Sequence, residues 1–304
     1  MLQLTKFYEQ CYLSFVNANP GLANAKRDPG NIKSESQKLF LEIDQARLQK
    51  SKNKLLYYLD QKIWTEAREH LDDTEFCIDL KKEIIQGLHF KNTVFGTYTK
   101  TIEILRPLVE MINKTEKRPA RVLELGSGVG KLTMAVYQQF QNSSMQVEMT
   151  GSDIVPEYVA SANREAQLKN YHINFLVIDA YQLDLLEANS YDLIFTLHSM
   201  HHFRPEELSI IMAGSLSIAP RGFIGIDAYR GFLNLLFIAL AGALKSLFSF
   251  KKMFFHDSFI SGRKMYAAKQ LEIMARIACP GASIKAENLK PGLTVIKIFP
   301  QKIF

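Results

Sequence analysis

The residues best placed to do chemistry in this chain of 304 residues lie in one phrase, Arg121-Val-Leu-Glu-Leu-Gly-Ser-Gly-Val-Gly130. An apolar run reaches an acid, Glu124, and then three glycines at alternate positions, Gly126, Gly128 and Gly130, with Ser127 between the first two. Glycine lets the backbone press against a ligand where a Cβ would clash. A helix opening near Lys131 leaves backbone N–H groups to point at that ligand. The chemistry implied is a cofactor loop on an α/β sheet. Spacing excludes two common loops. In G-x-G-x-x-G counted from Gly126 the third glycine falls on Lys131. A Walker A loop ending at Gly130-Lys131 meets Leu132 where it needs a hydroxyl and Leu125 where it needs a glycine.

More polar residues recur in phase with the elements that must position them. Arg121–Leu125, Val147–Ser152, Phe175–Ile178, Tyr191–Leu197 and Phe223–Ile226 read as strands of a parallel sheet buried on both faces. Between them Leu132–Phe140, Glu157–Leu168 behind Pro156, and Pro205–Leu216 with Glu206 and Glu207 in its first turn read as helices. Strands alternating with helices predict an α/β fold whose ligands sit outside the carboxyl ends of the strands. Each of those ends carries polar residues: Glu124, Asp153, Asp179, then His198, His201 and His202, then Asp227. One Asp after a strand is commonly a cap or turn residue, but a series in phase with five strands marks a site. Ala282–Asn288 and Leu293–Phe299, joined around Lys290-Pro-Gly292, read as a last pair of strands.

The order acid-x-Gly-x-Gly-x-Gly, with that series behind it, resembles the class I S-adenosylmethionine-dependent methyltransferases, and among them bacterial small-molecule methyltransferases. The resemblance runs over about residues 95–230 and more loosely to the C-terminus. It implies a Rossmann-like fold with a mostly parallel seven-stranded sheet, its last strand reversed, and a helical N-terminal accessory region. It also implies roles. Glu124 and the loop of Gly126, Ser127, Gly128 and Gly130 would lie near the methionine end of S-adenosyl-L-methionine. Asp153 would hold the ribose hydroxyls, which a carboxylate does well because it accepts from two donors at once. Ile154 would cover the adenine face, Asp179 with Ala180 would receive the adenine amine, and Leu197 would touch the cofactor from the fourth strand. Met200-His201-His202-Phe203 resembles the family's leucine-histidine-histidine phrase. His70-Leu-Asp-Asp73 and Asn92-Thr-Val-Phe-Gly96 resemble lead-in segments that cover the cofactor, so Phe95 and Tyr98 are either acceptor-side residues or interface packing.

Methyl transfer is an in-line displacement whose leaving sulfur is neutral, so no acid and no metal is needed. The enzyme must align acceptor and methyl and remove a proton from an oxygen or acidic carbon. Histidine is the natural base near neutral pH. His201 and His202 are therefore the catalytic candidates, the alternative being that they cap or brace a loop. His198, Tyr229 and Arg230 are expected on the acceptor side. No Asn-Pro-Pro-Tyr-like phrase follows the fourth strand, which turns the reading from nitrogen targets in macromolecules to oxygen or carbon of a small, apolar acceptor. Two alternatives stay open: a methyltransferase for protein or nucleic acid, and a cofactor-binding protein without catalysis.

Residues 1–118 are expected to form the helical accessory region and 119–304 the transferase domain, with an apolar insertion at about 231–262. In the first part, 17–34 reads as loop because of Asn19-Pro-Gly21 and Asp28-Pro-Gly30. Helical spacing runs over Ser36–Tyr58, Ile63–Leu71, Phe76–Leu88 and Thr101–Ile112. Phe232–Leu244 is shorter than the ~20 residues a membrane span needs. It reads as a buried lid over the acceptor or as a membrane-contacting surface backed by Lys245, Lys251 and Lys252, and the contact would extend over 232–255. Ser258–Tyr266 leads into a helix from about Ala267 to Ala278. Residues 119–229 hold six Lys/Arg against twelve Asp/Glu, and residues 230–304 twelve against three. The basic excess thus lies away from the cofactor motif, scattered and without interleaved aromatics, so a nucleic-acid partner is not expected. Cys11, Cys77 and Cys279 form neither a metal motif nor a disulfide framework. With no signal peptide read, the expected location is the cytoplasm, with membrane association open.

Overall fold

The computed structural model describes residues 12, 13, 15, 17, 28–50, 65, 67, 69–72, 78–229, 252–290 and 292–300. Among the described residues, α1 (Pro29–Lys50), α2 (Ile78–Val94) and α3 (Thr97–Glu116) precede the sheet. The chain then runs through β1 (Ala120–Leu125), α4 (Lys131–Asn142), β2 (Val147–Asp153), α5 (Pro156–Leu168), β3 (Ile173–Val177), β4 (Leu193–Leu197), α6 (Pro205–Ile218) and β5 (Phe223–Ala228). It closes with α7 (Lys252–Lys264), α8 (Ala268–Ala278), β6 (Ser283–Leu289) and β7 (Leu293–Phe299). The seven strands form one sheet in the order β3-β2-β1-β4-β5-β7-β6. β1 to β5 are parallel, and β7 is antiparallel to both β5 and β6. The strand order reverses between β1 and β4, the crevice where such sheets bind ligands.

Side chains alternate across the sheet, so each strand feeds two cores. Val122 of β1 packs with Leu105, Val109, Ile112, Val136 and Phe140 on the α3/α4 face, while Leu123 packs with Met212, Leu271 and Met274 on the α6/α8 face. Each fully buried Leu or Phe contributes roughly 1.5–3 kcal/mol. The switch point is anchored at its base by Asp192. That carboxylate takes a two-pronged bond from Arg118 at 2.6 and 2.7 Å and the Arg121 N–H at 2.8 Å. Burial opposes its ionisation, but the bonds from Arg118 and Arg121 outweigh it and hold its pKa at about 2.

Four expectations change. Asp28-Pro29-Gly30 starts a helix and is not a turn. Pro29 opens α1, where its fixed φ suits a first turn, and Asp28 Oδ1 accepts the Asn31 N–H at 3.0 Å as a cap would. Of the helix expected over Ile63–Leu71, the described part is a single 3₁₀ turn at His70–Asp72. Most of the Ser258–Tyr266 phrase belongs to α7 and does not merely precede a helix. β3 begins at Ile173, before the expected Phe175, because Ile173 is buried and Asn163 pairs with the backbone of Phe175 along the sheet edge at 2.8 and 3.1 Å. Arg230 and the apolar run Phe232–Leu244 lie outside the described residues. Among the described residues no helix is long and apolar enough to cross a membrane.

Candidate active site

The carboxyl ends of β1, β2, β4 and β5, together with α2, α3 and α7, enclose a cavity of about 1830 Å³. One small ligand fills roughly 300–1,000 Å³, so two fit side by side. The cavity wall includes Glu124, Gly126, Ser127, Gly128, Asp153, Ile154, Asp179, Ala180, Leu197, His198, His201, His202, Phe95, Tyr98 and Tyr229. Gly130 does not reach it.

The glycine loop is less uniform than its spacing implies. A Cβ on Gly126 would stand 2.5 Å from Ser199 Oγ, and one on Gly130 would stand 2.5 Å from the Phe175 ring. Those two glycines let protein pack on protein. Only Gly128, at φ +54°, opens onto empty space. Its N–H donates to Asp153 Oδ2 at 2.8 Å, and Asp153 Oδ1 accepts the Val155 N–H at 3.0 Å. Asp153 thereby ties the loop to the end of β2. Burial raises its pKa against the pull of those backbone bonds. Glu124 is 2% exposed and accepts the Thr133 hydroxyl at 2.5 Å. Burial pushes its pKa up to about 7, the Thr133 bond opposing and the charge of Asp153 adding. Asp179 caps the 3₁₀ turn Ala180–Leu185 by accepting the Tyr181 N–H at 2.9 Å, and takes Gln182 Nε2 at 3.1 Å. Ile154 stands 61% exposed at the mouth. Ser127 Oγ is buried with no hydrogen-bond partner. Three carboxylates, an orphaned hydroxyl and an open glycine fit a ligand that brings a cation, a vicinal diol and an amine.

The other half of the cavity is built around Asp227, which β5 carries inside the strand. Asp227 Oδ2 faces His201 Nδ1 at 2.9 Å and accepts the His201 N–H at 3.1 Å, while Oδ1 faces His198 Nδ1 at 3.4 Å. Burial works against its charge, but the two imidazoles prevail and keep the carboxyl far below the ordinary range. His198 holds φ +56°, a left-handed conformation costly for a side chain with a Cβ. Its Nε2 lies 3.1 Å from Asn92 Oδ1 of α2. Burial, with Lys91 nearby, lowers its pKa in spite of Asp227. Burial also lowers the pKa of Lys91 against the attraction of Asp227 and Glu69. Glu69 Oε1 lies 3.6 Å from His201 Nε2.

Backbone geometry sorts the histidines. His201 and His202 share the 3₁₀ turn Met200–His202, which lays their rings side by side at 4.3 Å and 32°. His201 is buried on Asp227, whereas His202 lies close enough to Asp153 to lower that acid's pKa. Tyr98 stands between the halves. Its hydroxyl is 3.1 Å from His89 Nδ1, and burial, with Glu124 beside it, raises its pKa to about 12. The mouth is apolar: Phe90, Val94 and Phe95 are 66%, 61% and 53% exposed. Tyr229 reaches the wall with its N–H on Gly292 O at 2.7 Å. Sequence reasoning missed Lys91, Asn92 and Glu69, and saw Asp227 only as the last polar strand end. No spacing links residues 69 or 92 to residue 227.

Comparison with known proteins agrees with this arrangement. Residues 122–218 match the family model of a methyltransferase domain. The chain is 23% identical over 202 residues to a demethylmenaquinone methyltransferase of Thermus thermophilus, covering 60% of this chain and 83% of the relative. It is 30% identical over 120 residues to an S-adenosyl-L-methionine-dependent Diels-Alderase of Talaromyces variabilis, covering 36% and 39%. The fold resembles a plantazolicin methyltransferase solved in complex with a triazolic desmethyl analog and SAH, with a TM-score of 0.55 at 15% identity over 82% of this chain and 99% of that one. Sequence phrase, sheet order and family model converge: residues 122–218 match a methyltransferase domain, set in a Rossmann-like, mostly parallel seven-stranded sheet.

Proposed function

We propose that this enzyme methylates an oxygen or acidic carbon of a small, hydrophobic molecule. The carrying observation is the single cavity in which the glycine loop faces the Asp227-centred histidines beneath an apolar mouth. S-adenosylmethionine, when bound, supplies an electrophilic methyl on a positively charged sulfur. The chain's own residues divide the remaining work. Glu124, Ser127, Gly128 and Asp153 hold the amino-acid and ribose parts, Ile154, Asp179 and Ala180 the base, and Leu197 the floor between cofactor and acceptor. Phe90, Val94 and Phe95 line the way in and select apolar bodies, each roughly 1.5–3 kcal/mol when fully covered. Asp227 orients His198 and His201 and stabilises whichever gains a proton from the acceptor. His202, facing Asp153, is assigned to the cofactor side and not to proton removal. The helical region, residues 1–118, contributes the cover, and 119–304 the transfer machinery.

By their names, the demethylmenaquinone and plantazolicin methyltransferases serve demethylmenaquinone and plantazolicin. Both support a small-molecule acceptor, and neither decides between oxygen and carbon. The test is incubation with methyl-labelled cofactor against an organic-solvent metabolite extract, and in parallel against protein and RNA fractions of the same cells. Label in the organic fraction supports the reading. Label confined to protein or RNA would overturn it.

A further inference from the structure

Outside the transfer centre, three potential ligand atoms converge at the rim of the cavity. His70 Nδ1 lies 2.5 Å from Asp257 Oδ1, His256 Nδ1 lies 3.0 Å from His70 Nδ1, and His256 Nδ1 lies 3.3 Å from Asp257 Oδ1. We infer that His70, His256 and Asp257 form a binding site for a divalent first-row metal ion of the zinc type, which clamps the 70–72 turn to α7.

Four observations carry this. First, the three ligand atoms lie 2.5, 3.0 and 3.3 Å from one another, close enough for one ion at about 2.0–2.1 Å to reach all of them. Second, two imidazoles meet through the same nitrogen type at 3.0 Å, a contact that no proton bridges once both neutral rings donate to the shared carboxylate oxygen. A cation at the centre serves all three lone pairs. Third, the rings meet at 64° with centroids 4.4 Å apart, so their in-plane lone pairs can converge. Fourth, the carboxylate is held in place. Asp257 is 3% exposed and accepts the backbone N–H of His70 at 3.1 Å and of Leu71 at 3.2 Å, the outer support that metal-binding carboxylates need. The His256 side chain is 53% exposed, which leaves water to complete the coordination. Imidazole with carboxylate suits zinc and its neighbours and not calcium or magnesium.

The second cluster of ligand types, Glu69 with His201 and His202, lacks this geometry. His201 Nδ1 is taken up by Asp227 at 2.9 Å, and the Lys264 ammonium already stands 3.7 Å from Glu69. The clamp has a consequence for the cavity, because Leu71 belongs to one of the joined segments and Asp257, Ser258 and Ser261 to the other. A metal would fix two walls that come from residues nearly two hundred positions apart.

The experiment is calorimetric titration of the untagged, chelator-treated protein with Zn²⁺ alone, with thermal unfolding and zinc-edge absorption of the loaded form. One ion per chain is expected, with a rise in Tm and a spectrum containing two imidazoles. His256→Ala, at the most exposed of the three positions, should weaken binding at least tenfold and cancel the rise in Tm while the metal-free Tm stays put. His202→Ala should leave both intact. Absence of stoichiometric binding, binding unchanged in His256→Ala, or binding lost in His202→Ala but kept in His256→Ala would each overturn the assignment. None of these readouts depends on methyl transfer, so the clamp and the proposed reaction fail separately.

Discussion

The two halves of the cavity are built by opposite means. In the cofactor half the decisive contacts stay within neighbouring units of the sheet and go mostly to backbone: Glu124 to Thr133, Asp153 to the Gly128 and Val155 N–H groups, Asp179 to the Tyr181 N–H. In the acceptor half they join side chains from distant segments: Asn92 to His198, Glu69 to His201, His198 and His201 to Asp227. The first half is a local motif that any compatible sheet displays. The second exists only where α2, β4 and β5 have come together. The halves should therefore fail independently.

The largest effect expected is on Asp227→Asn. Truncating one partner of a buried charged pair costs about 3–5 kcal/mol, and Asn keeps the shape while losing the charge that serves two imidazoles. Methyl transfer should fall by two orders of magnitude or more, the range of general-base contributions, with cofactor affinity within about twofold of the parent. Single-turnover kinetics beside calorimetry would read both. A cofactor affinity that collapses with the rate would erase the division between the halves.

Asp153→Ala tests the other side. It removes charge-assisted bonds worth about 1.5–3 kcal/mol, so cofactor affinity should drop roughly 10- to 100-fold. The loop, no longer tied to β2, should exchange its Gly128 amide faster. Hydrogen exchange separates this from global unfolding, and an affinity unchanged beyond twofold would reduce Asp153 to a loop brace.

A smaller effect is expected from pH. With its pKa raised to about 7, Glu124 is protonated over part of the neutral range in the free enzyme. A positively charged ligand favours the ionised carboxylate. Cofactor affinity should therefore fall as pH drops below about 7, by up to tenfold per unit, and binding at pH 7 should release a proton. Glu124→Gln should flatten the profile. The linked stability has the same origin: a carboxylate whose folded pKa exceeds its unfolded value favours the folded state fully below about pH 4.5, and that contribution is lost progressively as the pH rises to about 7. Calorimetry in two buffers of different ionisation heat would count the proton.

The smallest effect belongs to the mouth. Phe95→Ala should raise the acceptor KM by less than about tenfold, since the ring is already 53% exposed and recovers only part of a full burial of roughly 1.5–3 kcal/mol. Cofactor affinity should not move. A change in cofactor affinity would place Phe95 in the wrong half.

Much of the scaffold was legible because its signals are local. Buried parallel strands read as short apolar runs, and all seven strands fell within two residues of their observed starts. The exception in character is β5, which runs past Ile226 to carry Asp227 within the sheet, since its pairing with β7 continues through Thr294 and Leu293. α1 was misplaced at its start because Asp-Pro-Gly reads equally as a turn or as a cap followed by a first helical residue. The Asp28 cap on the Asn31 N–H and the burial of Ile32 decide for the helix. The glycine phrase identified a cofactor loop, but not that Gly126 and Gly130 accommodate Ser199 and Phe175 while Gly128 alone is open.

By itself the amino-acid sequence determined the doubly wound sheet, the cofactor class and the carboxylates at the strand ends, because each is marked by a short pattern inside one strand–turn–helix unit. Tertiary structure alone decided which histidine meets Asp227, that Lys91, Asn92 and Glu69 belong to the acceptor half, and that His70 faces His256 and Asp257. Those pairings join segments separated by tens to nearly two hundred residues. Burial of apolar surface sets such segments side by side, and being non-directional and spread over many residues, it leaves no fixed spacing in the chain to read.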